Sequence, residues 1–306
     1  MKLHLKSFPF IQYQAYFVTL SIVLVTVSIL LVMFKGLNYG TDFKGGIKLQ
    51  YRIDSDVTEE DLRILLDSAS LGEASIQRIG KIDEKRFSLK FPLQVGISLE
   101  EFSNKVEGFL KQKIPAGKLV LEQEEIVGPK AGKDLRKKAQ LALIVAWLLI
   151  LIYIGYRFDF YFAPGAIVAL IHDVLVTVGV IALTGREFTL TTVAVLLTII
   201  GYSVNDTIVI YDRVRENLSK HPKMLLADLV NLSVNETLSR SIITSLTVFF
   251  VVVIMYLFGK GEIEGFGFVM MIGVIAGSYS TIFVASPVYL YLHKIVPRLE
   301  AWWAQK

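Results

Sequence analysis

The sequence contains no cysteine. This absence excludes disulfide bonds, cysteine-held iron–sulfur clusters and catalysis by a thiol. P-loop and HExxH motifs are also missing, and the four histidines are too scattered to suggest a metal site. No basic stripe with interleaved aromatic residues is present, so the sequence does not predict nucleic-acid binding. Together these absences predict a protein that is not an enzyme and carries no cofactor or metal.

Charged residues are scarce outside one part of the chain. Lysine, arginine, aspartate and glutamate make up 20% of the sequence, and most of them lie between Lys35 and Lys138. That segment has the composition of a water-soluble domain, whereas the remainder is apolar. The mean hydropathy of +0.54 agrees with this division. The composition therefore predicts a membrane protein with one water-soluble domain.

Six apolar runs are long enough to cross a membrane, because a hydrocarbon core about 30 Å thick requires roughly 20 apolar residues per helix. The predicted transmembrane segments are residues 15–34, 138–156, 160–184, 188–211, 240–258 and 266–293. The first run carries no charge, and no small-residue cleavage site follows it. It is therefore predicted to be an uncleaved anchor rather than a signal peptide.

Lysine and arginine in the short loops predict the orientation, since cytoplasmic loops carry the excess of positive charge. These residues concentrate in residues 1–14, 212–239 and 294–306. Both termini are therefore predicted to be cytoplasmic, and residues 35–135 to form a domain on the outer face.

The predicted cytoplasmic loop contains leucines at helical spacing, namely Leu225, Leu229 and Leu232. This pattern predicts a short interfacial helix on the membrane surface. An ordinary loop helix packed on the bundle fits the same pattern equally well.

The segment after the first span has the pattern of an α+β domain. Apolar and polar residues alternate from Ile47 to Ile53, which predicts a half-buried strand. Capping patterns at Thr58 and Ser98 predict two helices, and further strands are predicted at residues 73–80, 86–91 and 118–127. The order β-α-β-β-α-β is that of ferredoxin-like domains. The predicted fold is therefore an all-α membrane bundle of six transmembrane helices with a ferredoxin-like periplasmic domain after the first helix.

An acid within the fourth span is the strongest candidate for function, because charged residues inside a membrane are costly and mark ion paths or buried networks. Asp206 lies in the inner half of that span, and Arg240 opens the antiparallel fifth span at a similar depth. Thr244 shares the helix face of Arg240. Exchange of Arg240 for a proton would let Asp206 titrate. A static salt bridge that holds the two helices in register is the alternative, with about equal support.

A second acid lies near the middle of the third span. Asp173 follows His172, and its depth is nearer to the outer face than that of Asp206. Hydrogen bonds to hydroxyl groups of the bundle, and hence a structural role, are the more natural expectation. In the last span, Gly273 and Gly277 form a GxxxG pair that permits close packing, either within the chain or against a partner.

Longer motifs resemble a known family. They are residues 38–46, 127–130, 170–173, 201–217 and 235–245. These segments are similar to the SecF subunits of the SecD/SecF family of bacterial protein-export membrane proteins, and the likeness covers nearly the whole chain. The family motifs also contain a set of residues expected to form a structural joint that could transmit motion: Gly40, Asp42, Gly45, Gly46, Gly128 and Pro129.

The resemblance implies partners and a mechanism. The chain would pair with SecD, a relative of similar layout, as half of a twelve-helix unit related to resistance–nodulation–division transporters. The pair would associate with the SecYEG channel, with YajC and with a translocating preprotein in the bacterial cytoplasmic (inner) membrane. Protons would be the coupling ion. The family links the positions of Asp206, Arg240 and Thr244 to proton conduction, and with the neighbouring Asn205 they form the predicted proton relay.

Two other functions are compatible with the layout. A passive scaffold that only assembles the export machinery would not need Asp206 or Arg240, but it would need the close packing at Gly273 and Gly277. A small-molecule exporter is disfavoured because the outer domain has only about 100 residues and one β-α-β-β-α-β unit.

Overall fold

The computed structural model describes residues 8–69, 71, 74–79, 84–92, 98–115, 117–157, 162–259 and 261–303. Within these residues, six helical stretches are long and apolar enough to cross a membrane, which confirms the predicted number of spans. They are Phe10–Phe34, Lys130–Arg157, Ala163–Thr184, Leu190–Lys220, Leu226–Phe258 and Glu262–Ile295. Residues 81–83, which lie between the strands predicted at 73–80 and 86–91, are outside the described residues, as are Lys2, Lys6, Lys260 and Lys306.

The long helices differ strongly in how much of their surface the chain itself covers. They are α1 (Gln14–Phe34), α5 (Pro129–Arg157), α6 (Ala163–Thr184), α7 (Leu190–Lys220), α8 (Leu226–Phe258), α9 (Glu262–Ser280) and α10 (Ser286–Trp303). A π-helical segment, Thr281–Ala285, joins the last two. The apolar windows of α6, of α7 and of the α9–α10 stretch are each 56% buried, against 11% for α1 and α5 and 6% for α8. The helices α6, α7, α9 and α10 therefore form the centre of the bundle.

The prediction of a separate interfacial helix at residues 212–239 is wrong. Helix α7 continues to Lys220 and α8 already begins at Leu226, so only a short turn separates them. Leu229 is buried in the core of the bundle. No glycine or proline interrupts the sequence from Leu225 to Phe258, so the fifth span extends beyond the apolar run as one helix. The leucine spacing belongs to the first turns of that helix.

Residues 46–127 form a separate unit, here called the sheet domain. Its elements in chain order are β2 (Gly46–Ile53), α3 (Glu59–Ser68), β3 (Ser75–Ile79), β4 (Arg86–Phe91), α4 (Leu99–Lys113) and β5 (Leu119–Val127). The strands form one sheet of order β3-β4-β2-β5, and each neighbouring pair is antiparallel. Thr58 and Ser98 cap the two helices by accepting hydrogen bonds from backbone N–H groups three residues later, as predicted.

The sheet domain and the bundle have different apolar cores. One cluster lies between the sheet and its helices and contains Leu49, Phe87 and Leu110, each at most 1% exposed. The core of the bundle is a separate cluster. Burying one such side chain fully stabilises a fold by about 1.5–3 kcal/mol. Each unit therefore has apolar burial of its own.

A short segment connects the two units at one end of the bundle. It consists of β1 (Asn38–Tyr39) and α2 (Thr41–Lys44), and β1 pairs in parallel with β6 (Glu187–Phe188), which lies directly before α7. A small apolar cluster of Phe43, Ala139 and Val193 packs beside this pair. We call this connection, from Asn38 to Gly46 with its contacts on β6 and α7, the joint.

Candidate functional site

The acid at the centre of the predicted relay is buried. Asp206 is 3% exposed, and its Oδ2 atom has no hydrogen-bond partner among the described residues. Ser245 of α8 lies close enough to interact with the carboxylate, and the charge of Arg240 acts on it. Arg240 itself is exposed on α8. In the described part of the chain no Arg240 nitrogen lies within 4.0 Å of a carboxylate oxygen. Asp206 and Arg240 therefore do not form a salt bridge in this structure.

The other two relay residues occupy different positions. The Thr244 hydroxyl donates a hydrogen bond of 2.9 Å to the Arg240 carbonyl on the same helix. Asn205 is exposed, although it precedes the buried Asp206 directly. The charge of Arg240 therefore acts on Asp206, whereas the Thr244 hydroxyl bonds within α8 and Asn205 lies on the exposed face of α7.

Three hydroxyl groups that sequence reasoning missed form a cluster centred on Ser245. The Tyr202 hydroxyl donates to Ser245 Oγ at 3.0 Å, and Ser278 Oγ of α9 donates to the same atom at 2.8 Å. Tyr202 lies one turn before Asp206 on α7. Three helices thus contribute to this hydroxyl cluster of Tyr202, Ser245 and Ser278 beside the acid. Tyr202 and Ser245 lie within the family motifs at residues 201–217 and 235–245, which could have pointed to them, whereas no local pattern marks Ser278.

The second acid is held in a hydrogen-bonded network. Asp173 is fully buried, and its Oδ2 accepts hydrogen bonds from Ser203 Oγ at 2.6 Å and Ser280 Oγ at 2.9 Å. Its Oδ1 lies 3.0 Å from His172 Nδ1. The expectation that Asp173 bonds to hydroxyl groups across the bundle is confirmed. Ser203 lies one turn before Asp206 on α7, so the two acids differ in depth by about one helical turn.

Helix α9 and the first residue of the π-helical segment that follows it link the surroundings of the two acids. Ser278 belongs to the hydroxyl cluster, Ser280 bonds to Asp173, and Thr281 Oγ1 lies 3.3 Å from Thr207 Oγ1, next to Asp206. The π-helical segment begins at Thr281, and such segments occur frequently at functional sites. Close packing brings these groups together, since a Cβ atom at Gly277 would lie 3.2 Å from Ser203. The GxxxG pair therefore packs within the chain, against α7.

Gly40, Asp42, Gly45 and Gly46 lie in the joint, and Asp42 makes a contact there that was not predicted. Asp42 Oδ2 accepts a hydrogen bond of 2.7 Å from the backbone N–H of Leu190, the first residue of α7. Gly40 N–H donates to the Phe188 carbonyl at 3.0 Å. Helix N-termini leave N–H groups without intrahelical partners. Asp42 therefore caps the helix that carries Asp206.

Glycine is required at two joint positions by backbone geometry. Gly45 and Gly46 have φ angles of 76° and 140°, which side-chain-bearing residues rarely adopt. Gly128 has open space around it, and Pro129 begins α5, a favoured place for proline. These two residues mark the start of a helix rather than a strained turn.

We expect Asp42→Ala to destabilise the protein by about 1 kcal/mol, the usual cost of removing a side-chain cap from a helix N-terminus. Asp42→Asn keeps an acceptor oxygen at the same position and should lose less. Thermal unfolding of the two variants in detergent, followed by circular dichroism, tests this. Equal stability of Asp42→Ala and the unaltered protein would show that the contact does not cap α7.

The described residues contain no group of three or more potential metal ligands. Taken together, the six long apolar helices and the buried acids define a multi-pass membrane protein. Both oxygens of Asp173 have polar partners, whereas one oxygen of Asp206 has none among the described residues. A sheet domain is attached at the start of the helix that carries the second acid.

Comparison with known proteins identifies the family. The family model "Protein export membrane protein SecD/SecF, C-terminal" matches residues 109–295, and the model "SecD/SecF GG Motif" matches residues 31–57. The protein translocase subunit SecF of Calditerrivibrio nitroreducens is 43% identical over 272 residues, which cover 88% of this chain and 89% of that protein. That of Rickettsia conorii is 37% identical over 282 residues, covering 92% and 91%. The chain belongs to the SecD/SecF family of protein-export membrane proteins, and it has a role in protein translocation.

Solved structures of larger relatives have the same fold. The crystal structure of SecDF, a translocon-associated membrane protein from Thermus thermophilus, superposes with a TM-score of 0.86 at 34% identity. A structure of SecDF in a super-membrane-facing form gives 0.72 at 33% identity. The match covers 96% and 98% of this chain but only 40% and 41% of those chains. This chain therefore corresponds to less than half of a SecDF chain.

Proposed function

We propose that this chain is a proton-coupled accessory subunit that uses the proton gradient to promote preprotein translocation and release on the outer side of the membrane. The supporting observation is the Asp206 carboxylate, which is 3% exposed and has one oxygen without a partner among the described residues. An acid in this environment can become neutral by taking up a proton. It acts as a carrier if its proton can then leave towards the other side.

Arg240 and the hydroxyl cluster provide the two environments that such a carrier needs. When Asp206 is ionised, it attracts Arg240 and accepts hydrogen bonds from hydroxyl groups such as that of Ser245. When it is protonated, the attraction disappears and α7 and α8 are free to shift. The Thr244 hydroxyl bonds to the Arg240 carbonyl one turn earlier on α8, so any shift of Arg240 with its helix also moves this hydroxyl. One charge crossing 100 mV releases about 2.3 kcal/mol, enough to change a two-state equilibrium about fiftyfold.

The sheet domain is the element that such a shift would move. Its element order and its strand order support assignment to the ferredoxin-like class. Arginines 213 and 215 and Lys220 lie at the opposite end of α7 from the joint, and positive charge favours the cytoplasm. We therefore assign the sheet domain to the outer, periplasmic side of the bacterial inner membrane and both chain termini to the cytoplasm.

SecD is the partner that we assign to the exposed side of the bundle. Only 6% of the apolar window of α8 is buried within this chain, and Asn205 is exposed at the depth of Asp206. A polar amide in a membrane-spanning helix favours a protein neighbour over lipid. The match covers only 40% of the SecDF chain, and the unmatched part of such a chain could supply this neighbour. We extend the assembly to SecYEG, YajC and the preprotein as the machinery that a translocase subunit serves, with protons as the only coupling species.

The experiment that tests this function measures export into inverted membrane vesicles containing this chain, SecD and the channel. With ATP present, a proton gradient should stimulate preprotein translocation, and a protonophore should remove the stimulation. Vesicles without this chain provide the control. If the gradient stimulates both kinds of vesicle equally, this chain does not couple protons to export.

A passive scaffold is the second candidate, and one observation favours it. The network around Asp173 is satisfied and buried, as expected for a structural centre that holds α6, α7 and α9 together. A scaffold would support export to the same extent with and without the gradient. The vesicle experiment therefore separates the two functions.

A further inference from the structure

The sheet domain contacts the bundle in two places that differ in chemistry. The joint is packed by the apolar cluster of Phe43, Ala139 and Val193. The second contact lies across a cleft of about 1000 Å³ between one face of the sheet and the nearby ends of α7, α8 and α9. The sheet residues that line the cleft are polar at its centre: Lys48, Gln50, Ser88 and Lys90.

These four residues form a compact group on neighbouring strands. Lys48 is directly opposite Lys90, and Gln50 is opposite Ser88. Like charges directly opposite each other destabilise a sheet, so two adjacent lysines require a compensating contact. Lys48 is only 6% exposed, and Ser88 Oγ is buried without a partner among the described residues.

Carboxylate groups of the bundle, together with one of the sheet, offset the repulsion between these two lysines. Lys48 Nζ lies 2.9 Å from Glu262 Oε1 and 3.4 Å from Glu125 Oε2 of its own sheet. Lys90 forms an ion pair with Glu187. Burial lowers the pKa of Lys48, but the hydrogen bond and the charges of Glu262 and Glu125 raise it by more, so that its pKa lies above the ordinary value. Lys48 is therefore charged at physiological pH.

Both bundle acids lie where a helix of the candidate site begins. Glu262 is the first residue of α9, the helix that carries Ser278 and Ser280. Glu187 belongs to β6, which precedes α7, the helix that carries Asp206. A change in the position of either helix would therefore act directly on an ion pair with the sheet domain.

The chemistry of the second contact makes it easy to release. Desolvation offsets most of the attraction in a buried ion pair, so the net stability gained is small. When such a pair separates in a polar cleft, water can replace the lost contacts. The apolar packing of Phe43, Ala139 and Val193 at the joint has no comparable substitute, because water cannot replace apolar contacts.

We propose that the Lys48–Glu262 and Lys90–Glu187 pairs are a latch that holds the sheet domain against the starts of α7 and α9 and releases it to rock about the joint. The apolar joint is the hinge in this arrangement. The latch goes beyond the proposed proton coupling, because it concerns the position of a domain and can be measured without export.

Spin labels can measure the latch directly, because the chain has no cysteine of its own. Asn104→Cys on α4 and Leu183→Cys at the end of α6 place one label on each unit, and both positions are exposed. The distance between the labels is measured by pulsed electron paramagnetic resonance in the full chain, in nanodiscs with SecD. We expect one main distance in the otherwise unaltered protein, and a broader distribution with a second maximum in Lys48→Met/Lys90→Met.

Two further variants distinguish a latch from general damage. Lys85→Met removes an exposed ion pair with Asp56 in the same domain and should leave the distance distribution unchanged. The exchange Lys90→Glu/Glu187→Lys reverses one pair and puts an acid opposite Lys48, so it should keep the single distance. The proposal is overturned if the double methionine variant keeps that distance, or if the distribution of the exchange variant broadens as much as that of the double methionine variant.

If the double methionine variant fails to assemble, the exchange variant still tests the proposal, because a broadened distribution in a protein that keeps both charges in the cleft would overturn it. Export assays on the same proteins are interpreted separately. A second distance maximum in the double methionine variant would support the latch. If export by the unaltered protein were at the same time independent of the proton gradient, the proposed coupling would be rejected.

Discussion

Asp206→Asn is expected to abolish the stimulation of export by the proton gradient and to leave the complex with SecD assembled. Asparagine has nearly the same shape but cannot ionise, so neither proton release nor attraction of Arg240 remains. Export should fall to the level of protonophore-treated vesicles, a loss of up to about fiftyfold if one proton crossing 100 mV drives each step. Translocation into vesicles and co-purification with SecD measure the two outcomes.

Asp212→Asn is the matched control for this change. Asp212 lies on the same helix, but its side chain is 41% exposed and forms an ion pair with Arg215 at 3.0 Å. The same chemical change at this exposed position should leave the response to the gradient intact. A normal response in Asp206→Asn would reject the proposed carrier, even if the complex assembles as expected.

Gly46→Ala is expected to have the largest effect on stability. The residue has a φ angle of 140°, and an added Cβ atom would lie 2.5 Å from the Phe91 carbonyl oxygen. Backbone strain of this kind costs about 1–3 kcal/mol, and overpacking adds about 1–3 kcal/mol. Because the obstacle is backbone, it cannot move aside without opening the β2–β4 pair. Protease digestion of the purified protein should therefore cut the sheet domain much faster.

Gly128→Ala is the control for that experiment. Gly128 belongs to the other family motif, its φ angle is not positive, and no atom lies within 4 Å of an added Cβ. Its digestion should match that of the unaltered protein. Similar behaviour of the two variants would mean that the strain at Gly46 is relieved by movement of β2, contrary to this expectation.

The number of membrane spans could be predicted because hydrocarbon imposes a simple requirement. Every backbone group must be paired and most side chains must be apolar, so length and hydropathy suffice to locate a spanning helix. The prediction of an interfacial helix was wrong because leucine spacing is the same in a separate surface helix and in the first turns of a long helix. Deciding between them required the path of the chain between Lys220 and Leu226.

The two acids were found from sequence because charge is rare in an apolar run, but their partners were not. Ser203 and Ser280 are 30 and 107 residues away from Asp173 along the chain. Serine carries no mark that distinguishes a hydrogen-bond donor to a buried acid from a small residue at a helix contact. The Lys48–Glu262 contact spans 214 residues and was equally invisible.

The sequence by itself determined that this protein crosses the membrane six times, carries one water-soluble domain and resembles the export family, because these properties depend on local composition and contiguous motifs. Only the tertiary structure decided which acid is satisfied, that Asp42 caps α7, and that lysines of the sheet meet acids at the starts of two helices. The physical reason is that hydrogen bonds and ion pairs depend on distances of about 3 Å between groups far apart in the chain. Packing sets those distances, and no local pattern encodes them.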